Sequence, residues 1–459
     1  MKKKINIYVV GLIVALAGFI FSYDSSNMAG ARKYLESYFN MDYKDIGYVI
    51  IAVVLGSMLG SLFAGYLGDK YGRKKSLIYG AILMMLGGII TVISFNLFLF
   101  YVGRIIMGFS LGVIFLVGPM YMVEVSPAEI RGRTGALRQI LLSGGLILGY
   151  TMGYIFEKNF TFQWNSTVGW RYLYLFEILL TVVMGLAFFK IPESPRWLML
   201  KGREEKAREV LCGIFADENR INKVMSEMKA NIEISNPQKK VKIKGGLIYV
   251  LLICGIFPIF RQFSGVNAVT YYAQKIFATI SNDTGNMAYF QSIFIGFGEL
   301  AGAFFAVLFA DKFGRKKLLM AGALGMGFSL GGISLFLYSQ DKNILEGCLI
   351  YIYNFFFTIS TGTLLTIYIS EITPTIIRSK GMALSSVVNW FFDILVIIYF
   401  PILSTNGYLD KKFHEAFPFF IFTIAMGIFF IGVHLLPEAK GKTLEEIETY
   451  WRKKGDWDK

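Results

Sequence analysis

From Leu77 to Phe95, and again from Phe417 to Leu436, the chain carries no Asp, Glu, Lys or Arg. Phe98–Val117 is interrupted only by Arg104, and Tyr172–Ile191 only by Glu177 and Lys190. An apolar run of about 20 residues is long enough to cross roughly 30 Å of hydrocarbon as a helix. In that medium every backbone polar group needs a partner within the protein, which leaves helices and closed barrels as the spanning structures. The runs are continuous rather than alternating, so they read as helices. Twelve are expected, over about 5–28, 46–67, 77–95, 98–122, 134–156, 172–191, 247–277, 286–310, 318–338, 345–370, 380–404 and 414–436. Only 17% of residues are charged, against about 25% in soluble domains. The fold class read here is an all-α membrane protein. Lys2, Lys3 and Lys4 precede the first segment as in a signal peptide. Its apolar stretch is too long for one, and no small-residue cleavage site follows, so it is expected to stay.

The net charge of +14 raises the question of nucleic acid. Its distribution argues against that partner. Cations crowd alternate loops: Lys70, Arg73, Lys74 and Lys75; Arg131 and Arg133; the 201–244 segment; Lys312, Arg315, Lys316 and Lys317; Arg378 and Lys380. This is the positive-inside asymmetry. It places both termini in the cytoplasm, with a plasma membrane or bacterial inner membrane as the expected location. Cys212, Cys254 and Cys348 form no disulfide framework. No metal-ligand cluster, nucleotide-binding loop or nucleophile–His pairing stands out, and His414 and His434 carry no assigned role. No cofactor and no enzymatic activity are expected.

The chain repeats itself. Gly65-Tyr66-Leu67-Gly68-Asp69-Lys70-Tyr71-Gly72-Arg73-Lys74-Lys75 returns as Val307-Leu308-Phe309-Ala310-Asp311-Lys312-Phe313-Gly314-Arg315-Lys316-Lys317, 242 residues later. Glu124-Val125-Ser126-Pro127-Ala128-Glu129-Ile130-Arg131 returns as Glu371-Ile372-Thr373-Pro374-Thr375-Ile376-Ile377-Arg378, an offset of 247. Pro192-Glu193 returns as Pro437-Glu438, an offset of 245. The organisation read from this is a six-helix bundle over 1–191, a cytoplasmic linker over 192–246, a second bundle over 247–436 and a tail over 437–459. Residues 203–234 have the composition of short amphipathic helices. Parallel repeats of this kind belong to transporters, with the substrate near mid-membrane between the halves.

The repeated motifs sit in cytoplasmic loops. Gly72 permits a tight turn, and Asp69 and Arg73 can then make charge-assisted bonds to neighbouring helix ends. Asp311 and Arg315 repeat the arrangement. Glu124 with Arg131, and Glu371 with Arg378, offer matching groups. Together these are expected to act as latches at a cytoplasmic gate.

Several further motifs run through the chain in order: Gly103-Arg104; Pro119-Met120-Tyr121 followed by Glu124 and Pro127; Arg131-Gly132; Pro192-Glu193-Ser194-Pro195-Arg196-Trp197-Leu198; Gln262, Gly265, Asn267, Tyr271 and Tyr272; and Pro437-Glu438-Ala439-Lys440-Gly441-Lys442-Thr443. With the repeats, they make the sequence resemble the sugar porter family of the major facilitator superfamily. The resemblance implies a monosaccharide as substrate. It implies sugar contacts at Gln139, Gln262, Asn267 and Asn389. Tyr271, on the same helical face as Asn267, and Trp390, beside Asn389, complete the expected binding set. It also implies an acid that couples transport to protons where Asp24 stands, a position at which facilitative relatives carry asparagine. Glu177 matches another acid of the family and is expected in the cytoplasmic ion-pair set.

The departures are informative. Relatives carry two adjacent glutamines in the seventh helix, where this chain has Arg261-Gln262. Thr366 stands where a tryptophan faces the sugar, and Glu299 and Asp393 stand where asparagine is frequent. By helix rise, Arg261, Glu299 and Asp393 lie roughly 18–21 Å from their helix ends. Charges at such depth are expected to pair, so Arg261, which also stands in the expected substrate-binding set, is expected to meet Glu299, Asp393 or both. The rival reading, that Arg261 binds an anionic substrate such as a hexuronate, is disfavoured by the two nearby acids. Asp24 and Arg104 are expected to meet about 10–12 Å below the outer surface. Burial disfavours a carboxylate's charge and a nearby cation favours it, so separating the two would switch proton binding.

The leading reading is a proton-coupled monosaccharide transporter that works by alternating access as a monomer in the lipid bilayer. Passive facilitation, a polyol or sugar-acid substrate, and a sugar-sensing receptor are the alternatives.

Overall fold

The computed structural model describes residues 5–127, 131–215, 217–234, 246–272, 276–278, 286–340, 344–374, 377–438 and 451. Twelve helices are long and apolar enough to cross a membrane: Ile7–Phe39, Gly47–Tyr71, Arg73–Ile93, Leu97–Val125, Leu137–Asn159, Phe162–Phe188, Leu247–Tyr271, Met287–Phe309, Arg315–Ser339, Leu345–Ile372, Lys380–Ser404 and Phe417–His434. They are called the first to twelfth spans below. The linker forms Pro195–Leu200, Glu204–Ile214 and Glu218–Ile234. Trp197, Leu198, Met199 and Ala207 pack there against Met225 and Met228 as a small apolar cluster of their own.

The first span runs well past residue 28, where a loop was expected. Arg32, Lys33 and Glu36 give that stretch the composition of a surface turn. In the structure they are neutralised in place: Arg32 pairs with Glu36 one turn on at 2.9 Å, and Lys33 pairs with Glu157 at 2.6 Å. Tyr34 and Leu35 between them are fully buried. Asn6 caps the start, and Asn40, at φ 50°, closes the end.

Close helix contact is set by small residues. A Cβ on Gly60 would stand 2.0 Å from the Phe109 carbonyl oxygen, and one on Gly108 2.0 Å from that of Val53. The second and fourth spans therefore meet backbone to backbone, the packing mode favoured where lipid supplies no hydrophobic drive.

Two spans are broken near their middles. The seventh is helical over Gly246–Gln262, turns through Gly265 at φ +82°, and resumes over Val266–Tyr271. An L-residue is strained in that conformation, and a Cβ there would also meet the Phe422 ring at 2.5 Å. The tenth is helical over Ile344–Phe357, π-helical over Thr358–Gly362 and helical again over Leu364–Ile372. Such breaks free backbone and polar groups at membrane depth, which is tolerated where they line a cavity or are buried in protein.

Candidate functional site

The first charge cluster lies on the first, fourth and sixth spans. Arg104 donates from both terminal nitrogens to the two Asp24 oxygens, the Nη2–Oδ2 bond at 3.1 Å. Each residue is 1% exposed. Asp24 is about 22 Å from the end of its helix by rise, deeper than expected, because the span continues to Phe39. Arg104 also sits over the Tyr174 ring at 5.4 Å. Glu177 is placed here and not in the cytoplasmic set: it is fully buried, three residues after Tyr174, and its charged neighbours are Asp24 and Arg104. The sixth span enters from the end opposite the basic loops, so a residue in its middle cannot reach them. Neither Glu177 oxygen has a hydrogen-bond partner, nor has either amide atom of Asn27. Asn27 was not singled out in the sequence; its position three residues after Asp24, on the same helical face, is the signal that marks it.

The second cluster gathers around the break in the seventh span. Asn267 donates to the Gln262 side chain at 3.3 Å and to Asp393 Oδ1 at 2.7 Å. Gln262 is 2% exposed and Asp393 fully buried, with Oδ2 unbonded. The pairing expected of Arg261 is not made. Its Nη1 donates to Asn389 at 3.3 Å, its Nε has no partner, and neither Glu299 nor Asp393 forms an ion pair with it among the described residues. The reason is competition: Asn267, held by the turn at Gly265, reaches Asp393 first. Gln139 is buried and makes no side-chain hydrogen bond among the described residues. Trp390 donates to Ser61 Oγ at 3.2 Å and stands edge-on to Phe21 at 6.1 Å and Phe115 at 6.5 Å. On the tenth span Thr366 is exposed, while the buried hydroxyls of Thr361 and Thr363, beside the π-turn, lack partners.

The repeated motifs return as repeated geometry. Gly72 and Gly314 turn at φ +98° and +88°. Arg73 bonds Asp69 at 3.0 Å and Glu124 at 2.9 Å, and Arg315 bonds Glu371 at 3.2 Å. Each of these ties helices of one half to each other. The side chains of Arg131, Asp311 and Arg378 lie outside the described residues. Two further pairs obey the same symmetry. The Tyr121 hydroxyl donates to the Pro192 carbonyl, and that of Tyr368 to Pro437. Lys74 bonds the Phe189 carbonyl, and Lys316 those of His434 and Leu436, at the ends of the sixth and twelfth spans. A cation at a helix C-terminus satisfies free carbonyls and opposes the helix dipole. The sequence signal was available: Tyr121 and Tyr368 each stand three residues before the repeated glutamate.

At the opposite end the two sets of six spans touch directly. Tyr289 donates to the Gly30 carbonyl at 3.0 Å, Tyr150 to that of Thr270 at 2.8 Å, and Ser25 meets the Tyr271 hydroxyl at 3.4 Å. Arg32 lies 5.2 Å over the Tyr272 ring. No hydrogen bond between the two sets joins the ends at Gly72 and Gly314 among the described residues.

Twelve apolar spans, internal repetition of the turns and latches, and polar groups buried where the two sets meet define a multi-pass membrane transporter. The family model described as "Sugar (and other) transporter" matches residues 6–451, and the chain belongs to that family. The D-xylose-proton symporter of Escherichia coli K12 is 30% identical, over 97% of this chain and 96% of that protein. A glucose transporter of Staphylococcus epidermidis is 31% identical, over 97% of each chain. Among solved structures, the proton:xylose symporter XylE bound to 6-bromo-6-deoxy-D-glucose aligns with a TM-score of 0.86 at 29% identity, over 97% of this chain and 99% of that one. The fold is that of the major facilitator superfamily, two pseudo-symmetric six-helix bundles. The family is one of transporters, not enzymes.

Proposed function

We propose that this protein carries a monosaccharide and a proton together across the membrane by alternating access. The bundles 1–191 and 247–436 rock about a central site, linked by 192–246, and the protein works as a monomer. Both termini face the cytoplasm of a plasma membrane or bacterial inner membrane. Gln139, Gln262, Asn267, Tyr271, Asn389 and Trp390 form the sugar site. Arg73 with Asp69 and Glu124, Arg315 with Asp311 and Glu371, and Arg131 and Arg378 brace the cytoplasmic ends of the two bundles.

The observation that carries this reading is the buried Asp24–Arg104 pair. An acid and a cation paired where no water reaches give the fold one charge pair that a helix movement can open, and an opened acid is where a proton can be exchanged. Glu177 and Asn27, unbonded beside the pair, offer the proton or the cation an alternative partner as it opens. Hydrogen bonds between the bundles at the outer end and at Trp390–Ser61, with none at the basic end among the described residues, fit an inward-facing state. The relatives named for xylose–proton symport and glucose transport agree with this class of substrate.

The test is uptake of radiolabelled hexoses and pentoses into proteoliposomes, with and without an inward proton gradient. Accumulation above equilibrium that needs the gradient and disappears in Asp24→Asn, with counterflow retained, is expected. Equal, gradient-independent equilibration by both proteins would make the chain a facilitator and the Asp24–Arg104 pair a structural bridge.

A further inference from the structure

The central site holds more cationic hydrogen-bonding capacity than a neutral sugar uses. Each bundle contributes an Arg-Gln dipeptide, Arg138-Gln139 from the fifth span and Arg261-Gln262 from the seventh. Arg138 lies over the Phe115 ring at 4.5 Å and makes no hydrogen bond or ion pair among the described residues. Arg261 spends one long bond, 3.3 Å, on Asn389, and its buried Nε has none. The two guanidinium groups approach one site from opposite sides: the Phe115 ring under Arg138 stands 6.5 Å from Trp390, whose neighbour Asn389 accepts the bond from Arg261. Asp393 and Glu299 form no ion pair with Arg261 among the described residues, and Asp393 accepts from Asn267 instead. A guanidinium offers five N–H donors in a planar fork that matches a carboxylate's two oxygens, and here both side chains are half-buried with most of those donors free for a ligand. Beside the forks stand the rings of Phe115, Phe21 and Trp390, apolar faces of the kind a pyranose ring covers.

We infer, on the reading that this site binds a monosaccharide, that the substrate bears a carboxylate: a hexuronate or related sugar acid held by Arg138 from one bundle and Arg261 from the other. The bound anion takes one cation from each bundle as its partner. It adds a charged tie between the bundles beside the Trp390–Ser61 bond that already crosses there, so occupancy itself favours closure. A phosphorylated sugar fits less well. It carries up to about two negative charges and would meet Asp393 and Glu299 with both.

The test is isothermal titration of the purified full-length protein with D-glucuronate, its neutral methyl ester, D-glucose and D-glucose 6-phosphate. Glucuronate is expected to bind at least about tenfold more tightly than the ester or glucose, the scale of a charge-assisted bidentate contact. In Arg138→Gln and in Arg261→Gln the glucuronate-to-glucose ratio is expected to fall about tenfold. If either variant fails to fold, the comparison of acid with ester on the wild-type protein decides. Glucose or the ester binding as tightly as glucuronate overturns the inference, as does glucose 6-phosphate binding tightest. Binding of none of these sugars would instead overturn the proposed sugar transport, a result distinct from neutral sugars binding and the acid not.

Discussion

The two bundles each bury a set of charges, and they treat them differently. In the first, Asp24 and Arg104 meet in a bidentate ion pair with both side chains 1% exposed. In the second, Arg261, Asp393 and Glu299 share one region yet form no ion pair among the described residues, and amides stand between them. A closed bidentate pair at membrane depth is locked until something separates it. A set of charges joined through asparagines, with valences unfilled, is poised to receive a ligand. On the function proposed above, the locked pair suits proton coupling and the open set suits recognition, to which the first bundle adds Gln139.

Removing a cation should separate the two clusters most sharply. Arg104→Leu leaves Asp24 buried beside Glu177 without compensation and is expected to cost about 3–5 kcal/mol. Arg261→Gln removes one long bond and should cost no more than about 1 kcal/mol. Reversible unfolding in mixed detergent measures both, and equal losses would erase the distinction. Double-mutant cycles sharpen it. Asp24 and Arg104 should couple by about 2 kcal/mol or more, and Arg261 and Asp393 by less than about 0.5 kcal/mol. A large coupling in the second pair would mean that it closes in solution.

Smaller effects probe the amides. Asn267→Ala strips Asp393 of its 2.7 Å bond and should cost about 1–3 kcal/mol, with weaker sugar binding in the same titration. Retained sugar affinity would place Asn267 outside the site. Trp390→Phe loses the bond to Ser61 and keeps a ring against Phe21 and Phe115. Its expected cost is about 1 kcal/mol, read by the same unfolding measurement.

The repeated latches were legible because each is built from residues close to a turn. Asp69, Gly72 and Arg73 lie within one loop, and their copies 242 residues later adopt the same glycine geometry. Helix existence was equally legible from hydropathy. Helix length was not: the charges in 32–36 read as a loop because one of them, Lys33, finds its partner Glu157 far along the chain. Glu177 was assigned to the wrong end for a related reason, since its neighbours Asp24 and Arg104 come from two other spans.

The sequence by itself determined that this chain crosses the membrane twelve times, that its turns and latches occur twice, and that its family transports sugars. Apolar run length, loop charge and motif spacing are local properties, so one dimension suffices to read them. The Asp24–Arg104 pair was already implied by depth along the helices, but only the tertiary structure decided the partners of the other buried charges. It gave Asp393 to Asn267 rather than to Arg261. At mid-membrane a polar group takes whichever partner the packing brings within about 3 Å, and that choice rests on helix breaks and crossings that no single segment encodes.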